Sequence, residues 1–520
     1  MDSFLQRFAG QIKGVLTGFD RIVFKGCIRP LMYADGAMAF LRGRGVLNKG
    51  YKDWMLLQSS ALCAAAERTA QRTCGRGVEP LRSSLERKEA LAHERQKARG
   101  LQAGLIGVWS SVEAGFTYRA CYDAQAGFPQ LRREFGRCKH LYFYYDHPRY
   151  GFASVRLQTW FPYGIQIALN GREWLRRALD QQRIAYVVHG NKFLHVADYA
   201  RAQRLLAAQN DTRWAPLLEG FLPEVFPTMA LTLGPRLSYY WTLWQSEWAT
   251  DYIFDRPATL TPLMDGLLRH ALLSGCCERV LRYFGRPVDA EGQPHPLAAP
   301  EVVSRANRWH EGVRVRHWVD DNSVKVYNEH NVLRAEMTMN NPAMFRVWRP
   351  VEGKPGGPKK RQALRKGIGD IPLRAQVADD VNRRFTRQLA TVRDDTPVRD
   401  LLADVTRPFV RHDRRVRALD VTGKDRDLLL ALTDQRYAVS GVTNRRLQES
   451  LAQSNWGADR TRKQLSARIS RHLTLLRQHG LLRKQPNQRS YLLTEKGCAL
   501  TTALAALLAA STQQLMDKAA

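Results

Sequence analysis

The strongest constraint on this chain's fold lies near its C-terminus, where the period of the apolar residues changes abruptly. Leu465, Ile469, Leu473 and Leu476 recur at helical spacing, which puts them on one buried stripe of a helix running from about Arg462 to His479. Gly480 follows, the residue type that best adopts the left-handed conformation of a helix end. Leu481-Leu482-Arg483-Lys484, the turn Gln485-Pro486-Asn487-Gln488 and the return Arg489-Ser490-Tyr491-Leu492-Leu493 then read as two short strands around a polar tip. Upstream, Leu428, Leu429 and Leu432 mark the inward side of a short helix, Lys424 to Leu432. Thr443 can cap the next helix, with Leu447 and Leu451 inward. A polar turn, Gln453 to Asp459, leads to the long helix, and Thr494-Glu495-Lys496-Gly497 opens a last one.

Helix, helix, long helix and two-stranded wing make up the winged variant of helix-turn-helix. Leu473-x2-Leu476-x3-Gly480-Leu481-Leu482, a polar wing, then Tyr491-x-Leu493-Thr494-x2-Gly497 resembles the MarR and ArsR families of bacterial winged-helix regulators. The resemblance covers residues 422–511, and it implies binding of double-stranded DNA. It implies that the long helix enters the major groove with Ser466, Arg468, Ser470 and Arg471 towards bases. Arg462 and Lys463 start the same cationic face, and Arg483, Lys484 and Arg489 of the wing would meet phosphates. The turn before the long helix is longer than the families' usual one. From Val421 to Ala520 there are 16 Lys and Arg against 7 Asp and Glu, the footprint of a nucleic-acid binder rather than of a solvated helix face.

The whole chain carries the same bias. Its 520 residues include 80 Lys and Arg against 49 Asp and Glu, a formal charge of +31. Such an excess repels itself unless a polyanion offsets it, and nucleic acid does so with release of counterions. Single-stranded nucleic acid or RNA is a candidate partner beside the duplex. No cationic amphipathic helix stands out to favour a membrane surface. The 8 cysteines form no CxxC pair and read as reduced thiols. Cys138 and His140 alone make no metal site, so no metal ligands are assigned. Met1 to Gly10 lacks a signal peptide's apolar run, and Ala503 to Ala510 is far shorter than the ~20 residues that cross a bilayer. A cytoplasmic protein is expected.

Three regions follow: an α+β region, 1–350, with a mixed or antiparallel sheet; a basic linker and helical connector, 351–420; and the winged helix-turn-helix, 421–520. In the first, Tyr51 to Arg99 is a polar helical stretch broken near Gly75, Gly77 and Pro80. His140–Tyr145, Phe152–Thr159, Ile165–Asn170 and Ala185–His189 read as strands, and Arg172 to Gln182 as a helix. Val313–Val319, Ser323–Tyr327 and Val332–Thr338 form a second strand cluster, the last two joined by the loop Asn328-Glu329-His330-Asn331. Alternation then puts Val324, Val326, Leu333 and Ala335 on one face, and Ser323, Lys325, Tyr327, Arg334 and Glu336 on the other. Glu352 to Lys366, rich in Pro, Gly and Lys, reads as the basic linker. Helical connectors are expected over Leu373–Val392 and Val398–Val410.

No nucleotide-binding loop, HExxH or nucleophile elbow occurs. Three weaker constellations remain. Asp20, Asp146 and Glu247 are separated acids of the kind that hold two metal ions for in-line phosphodiester chemistry. Glu247 and Asp251 share a face if their segment is helical. Lys325, Tyr327, Arg334 and Glu336 are similar to the tyrosine strands of plasmid and phage replication initiators, although no His-x-His motif accompanies them. The plainer reading is a solvated sheet face with a diagonal Lys325–Glu336 pair. Tyr142, Tyr144, Arg149, Tyr150, Arg156, Trp160, Phe161 and Tyr163 could stack on unpaired bases, but rings in strands mostly fill cores, and that reading is preferred here.

Two classes of function follow. The first is a DNA-binding protein, either a transcriptional regulator or the DNA-recognition factor of a mobile element. The second is a metal-dependent phosphodiester-transfer enzyme (transposase, replication initiator or nuclease) that uses Mg or Mn and is delivered by the winged helix. The apolar tail helix, Ala499 to Leu508, either packs on the wing or forms a homodimer contact.

Overall fold

A computed structural model describes residues 2–511 apart from 82–86, 101–102, 274–276, 287–301, 310–311, 352–355, 391–397, 412, 434–436, 438–440, 453, 455, 459 and 485–488. The fold is α+β. Its centre is β1 (Ile12–Cys27), a strand of alternating and then continuous apolar residues that is paired on both sides. On one side lie β6 (Ile165–Asn170), β5 (Gly151–Gln158), β4 (Phe128–His147), β3 (Gly104–Asp123) and the stub β2 (Glu79–Pro80). On the other lie β9 (Tyr240–Phe254), β13 (Val332–Met339), β12 (Asn322–Glu329), β11 (Gly312–Val319) and β10 (Val302–Trp309). Together they form one eleven-stranded sheet. Every neighbouring pair is antiparallel except β2–β3.

The two faces are covered differently. One carries the main apolar core, where the helices Tyr51–Cys74, Pro257–Leu273 and Ile371–Leu389 pack. Ile371–Leu389 lies along the β9–β13 seam, with Asn382 Nδ2 donating to the Trp248 carbonyl at 3.0 Å and the Ala335 carbonyl at 3.2 Å. It therefore belongs to the large unit and is not a connector. The opposite face is covered near β1 by the helices Gly171–Gln181 and Tyr199–Ala207 and by the hairpin β7–β8 (Tyr186–His189, Lys192–Val196). Their apolar residues meet Leu16, Ile253 and Val332. The approach is close at Gly14 and Gly18, where a Cβ would stand 2.3 Å from the Tyr199 ring and 2.5 Å from Leu206.

Several local expectations are corrected. The expected linker, 352–366, supplies β15 (Lys359–Ala363), which pairs with β14 (Arg346–Pro350) as a hairpin, because Lys359–Arg361 find backbone partners in Trp348–Pro350. The β12–β13 loop is two residues long, since Asn328 and Glu329 remain paired with Leu333 and Val332, and His330 takes a positive φ of 52°. Glu247 and Asp251 lie on a strand, and they share a face through the strand's period of two. After the helix Val398–Ala403 the chain forms strands, Phe409–Arg411 with Arg414–Val416, where a helix was expected. Tyr142, Tyr144, Tyr150, Phe161 and Tyr163 are all buried, so their rings fill the core.

The C-terminal residues build a second apolar cluster from Leu428, Leu429, Leu432, Leu447, Leu451, Leu465, Ile469, Leu473 and Leu476. They lie on the helices Arg426–Ala431, Asn444–Leu451 and Arg462–Gln478, apart from Leu432, which caps the C-terminus of the first. Thr443 caps the second, Thr461 and Gln464 form a capping box on the third, and Gly480 ends it at φ 74°. Leu482–Lys484 pairs with Tyr491–Leu493, and Val442 adds an antiparallel bridge to Tyr491. The expected tip, Gln485 to Gln488, lies outside the described residues, as do three residues of the Gln453–Asp459 turn. Leu500 and Leu504 of the last helix, Glu495–Ala509, are buried in the same cluster.

Candidate metal and phosphate site on the open sheet face

Where β9 runs between β1 and β13, the register of β1 slips. Phe19 opposes Trp248 and Ile22 opposes Ser246, so Asp20 and Arg21 together oppose Glu247. That is a β-bulge, with Arg21 as the extra residue. The register ahead of it, in which Phe19 opposes Trp248, sets Asp20 beside Glu247 by ordinary alternation, on the face opposite the main core. Glu336 of β13 opposes Ala249, two residues along β9, and therefore joins the same face. Carboxylate oxygens of Asp20, Glu247 and Glu336 lie within 4.8 Å of one another. Asp20 and Glu336 are buried, and Glu247 is partly exposed.

Arg334 fixes the cluster from within. Its guanidinium donates to Asp20 Oδ2 at 2.5 Å and to both oxygens of Asp251, at 2.6 and 2.8 Å. Its Nη2 also donates to the Asn191 carbonyl at 3.0 Å. The Asn191 amide donates to the other oxygen of Asp20, and Asn170 holds Asn191 at 2.8 Å. Arg172, in the first turn of the helix capped by Asn170, meets Asp251 at 3.2 Å. Across the β12–β13 ladder, Lys325 Nζ lies 2.5 Å from Glu336 Oε1, and the Tyr327 hydroxyl donates to Glu336 Oε2 at 3.1 Å. Lys325 opposes Glu336 directly, and Tyr327 opposes Arg334. The plainer expectation of a solvated face is thus corrected: Lys325, Tyr327, Arg334 and Glu336 are all buried.

The charges do not cancel evenly. Four carboxylates (Asp20, Glu247, Asp251, Glu336) face three buried cations that pair directly with members of the set (Arg172, Lys325, Arg334), while Arg21 and Arg316 act on Glu247 without a direct ion pair. Burial works against the charge on Asp251, yet Arg334 and Arg172 hold its carboxyl below the usual value. Burial likewise opposes Glu336, and Lys325 and Arg334 outweigh it. Asp20 is pushed up, first by burial and then by Glu336 and Asp251, despite Arg334. Glu247, which has no ion pair among the described residues, is pushed up to about 7 by burial and by the neighbouring Glu336 and Asp20. The least compensated carboxylate is therefore the one at the opening.

Of the acids singled out in the sequence, Asp20 and Glu247 come together and Asp146 stands apart. Asp146 lies on β4, three strands from β1, or roughly 14 Å at ~4.8 Å per strand. It is bound there by Gln96 at 2.7 Å and Arg177 at 2.5 Å. Asp251, Arg172 and Asn191 are additional members. Asn170 before a helix was a legible signal for the position of Arg172, whereas Asn191 sits in a hairpin with no distinguishing pattern.

No protein-family model, curated protein or solved structure matches the chain. The site has to be read from its own chemistry.

In the C-terminal unit the expected contact residues divide. Arg462, Lys463, Arg471, Arg483, Lys484 and Arg489 are exposed. Arg468 is engaged internally: its guanidinium stacks 3.8 Å from the Trp456 ring and donates to the Trp456 carbonyl at 2.6 Å. The Ser466 hydroxyl donates to Asn444 Oδ1 at 3.1 Å, and Asn444 donates to Ser470 Oγ at 2.8 Å. Those three side chains hold the two helices together.

Proposed function

We propose that the large unit performs metal-dependent phosphodiester chemistry on nucleic acid, and that the C-terminal unit is a winged helix that brings it to DNA. The observation that carries the first half is the convergence of Asp20, Glu247 and Glu336 from three strands within 4.8 Å. Three carboxylate oxygens are a hard donor set, suited to Mg²⁺ or Mn²⁺ rather than to a thiophilic metal. The partly exposed Glu247 has no direct ion pair among the described residues, which fits a cation entering from that side. A bound divalent cation supplies polarisation of a phosphoryl oxygen and a more acidic bound water.

The protein's own residues have separate tasks. Arg334 and Asn191 hold Asp20 in one orientation, and Lys325 and Tyr327 hold Glu336. Both carboxylates thus keep fixed lone pairs at little further ordering cost. Arg21, exposed at the bulge beside Glu247, is placed to meet phosphate oxygens. Because Tyr327 donates to Glu336 and is buried, it serves as a positioning residue in this reading and not as a nucleophile.

The second half rests on the helix order, the capping box of the long helix, and the Val442 bridge that adds a third strand to the hairpin. The test is incubation of the full chain with supercoiled plasmid and Mg²⁺ or Mn²⁺. Nicking that is lost in Glu247→Gln and Glu336→Gln but kept in Asp146→Asn supports the proposal. No nicking with either metal, in a protein that still binds the plasmid, leaves the binding protein of the first class.

A further inference from the structure

Beyond the carboxylates, the same sheet face carries a feature that the metal reading does not use. Two residues before Gln245 the register slips again: Val23 opposes Gln245, Phe24 opposes Leu243, and Trp244 bulges out between them. Trp244 is 41% exposed, an unusual position for the largest apolar side chain on a central strand. Lys25 Nζ sits 3.4 Å from its ring centroid and Lys366 Nζ 4.0 Å. Neither lysine has an ion-pair partner among the described residues, and neither does Arg29, whose guanidinium lies 3.6 Å from the Tyr240 ring. Tyr240 is 39% exposed. Lys25 opposes Thr242, two residues from Tyr240, so both rings and their cations share one face. Burial, Arg156 and Lys366 together lower the affinity of Lys25 for its proton.

Two lysines crowded on one ring repel each other, and an anion between them would relieve this. Exposed rings flanked by cations suit a strand of unpaired nucleotides, since every base has a face to stack and every linkage a charge to hold. A duplex hides those base faces. Trp244 is three residues from Glu247 along β9, or roughly 10 Å at ~3.3 Å per residue, which is close enough for one strand to reach both. We infer that the β1–β9 seam is a single-strand track: Trp244 and Tyr240 stack bases, Lys25, Lys366 and Arg29 hold phosphates, and the strand leads to the carboxylates. The track deepens the proposed phosphodiester activity, but it binds without metal and stands independently of cleavage.

The experiment is fluorescence anisotropy of a labelled single-stranded oligonucleotide in EDTA with the full chain, with a duplex of the same sequence measured in parallel. Trp244→Ala is expected to weaken single-strand binding roughly five- to hundredfold, the range for losing one stacked base, and to leave duplex binding unchanged. Trp244→Phe should recover part of the loss. Lys25→Ala with Lys366→Ala should flatten the salt dependence of single-strand binding by about two phosphate contacts. Unaltered single-strand affinity in Trp244→Ala, or an equal loss for duplex and single strand, would overturn the track. Asp146→Asn, three strands from β1, should bind the single strand as the wild type does. Because binding is read in EDTA, Trp244-dependent single-strand binding without any nicking in Mg²⁺ or Mn²⁺ would overturn the catalytic proposal alone, and nicking without that dependence would overturn the track alone.

Discussion

Replacing Arg334 with Met tests whether the buried charge network is built as described. The side chain is about 1% exposed and makes three charge-assisted contacts, at 2.5, 2.6 and 2.8 Å, to Asp20 and Asp251. Each hydrogen bond to a charged group contributes roughly 1.5–3 kcal/mol, and the three are not additive. The larger consequence is that two carboxylates are left buried with too few cations. Removing one partner of a buried pair costs about 3–5 kcal/mol, and that loss is expected at pH 8. The pH dependence has a definite sign. Arg334 now holds Asp251 below its unfolded value. Without it, the carboxyl of Asp251 moves above that value and that of Asp20, already above it, moves further up. The folded variant then takes up protons that the unfolded chain does not, so its deficit shrinks as pH falls towards 5. Urea unfolding followed by tryptophan fluorescence reports mainly on the large unit, which holds all the tryptophans except Trp456. A loss under about 1 kcal/mol at pH 8, or the same loss at pH 5 and pH 8, would refute the reasoning.

Glu247 should titrate near neutrality, as its carboxyl is pushed up to about 7. Its folded value lies above the unfolded one, so stability falls as pH rises from about 4.5 to about 7; Glu247→Gln should remove that slope, as read from unfolding midpoints across the range. Asp425, buried, is hydrogen-bonded by Arg417 at 2.7 and 2.8 Å and by the Asp420 amide at 2.9 Å. Burial opposes its charge, but these bonds hold it far below the usual value, so its contribution is present above pH ~4 and lost as pH falls further. Asp425→Asn should cost about 2–3 kcal/mol, seen as faster hydrogen exchange through 444–484 with the large unit unaffected. Arg471→Ala should weaken duplex binding, by ~1–3 kcal/mol if it meets a base, without changing the thermal midpoint. Arg468→Ala should lower the midpoint, because it releases Trp456, and a binding defect with full stability would contradict that assignment.

What the sequence made legible was governed by local periodicity. The stripe Leu465, Ile469, Leu473, Leu476 and the glycine after it specify a helix and its end whatever surrounds them, and these residues are placed as expected. The alternation in 323–338 likewise put Lys325, Tyr327, Arg334 and Glu336 on one face. It did not reveal that this face is buried, because burial depends on what packs above it, and Asn191 and Arg172 come from more than a hundred residues away. The carboxylate cluster was half legible. Asp20 and Glu247 could be named as separated acids, but their meeting depends on the pairing of β1 with β9, strands more than two hundred residues apart, which leaves no mark in composition. Glu336 does keep the company of Lys325, Tyr327 and Arg334 that the alternation gave it, but its approach to Asp20 and Glu247 was not legible, because strand adjacency across the sheet, β13 beside β9, is a non-local property. The basic, Pro- and Gly-rich run near 352–366 misled because those residues also suit a hairpin turn.

The central position of β1 has a consequence for synthesis. This strand is made long before one of its two neighbours, β9, which is 213 residues further along when counted from Cys27 to Tyr240. At ~5–20 residues per second, its second edge waits roughly 10–40 s for a partner. Glu336 emerges later still, so the three carboxylates cannot meet until most of the large unit has been made. A chain abandoned before β13 would lack both Glu336 of the carboxylate set and Lys366 of the cationic track. The strand order thus makes any chemistry at this site conditional on synthesis having passed β13.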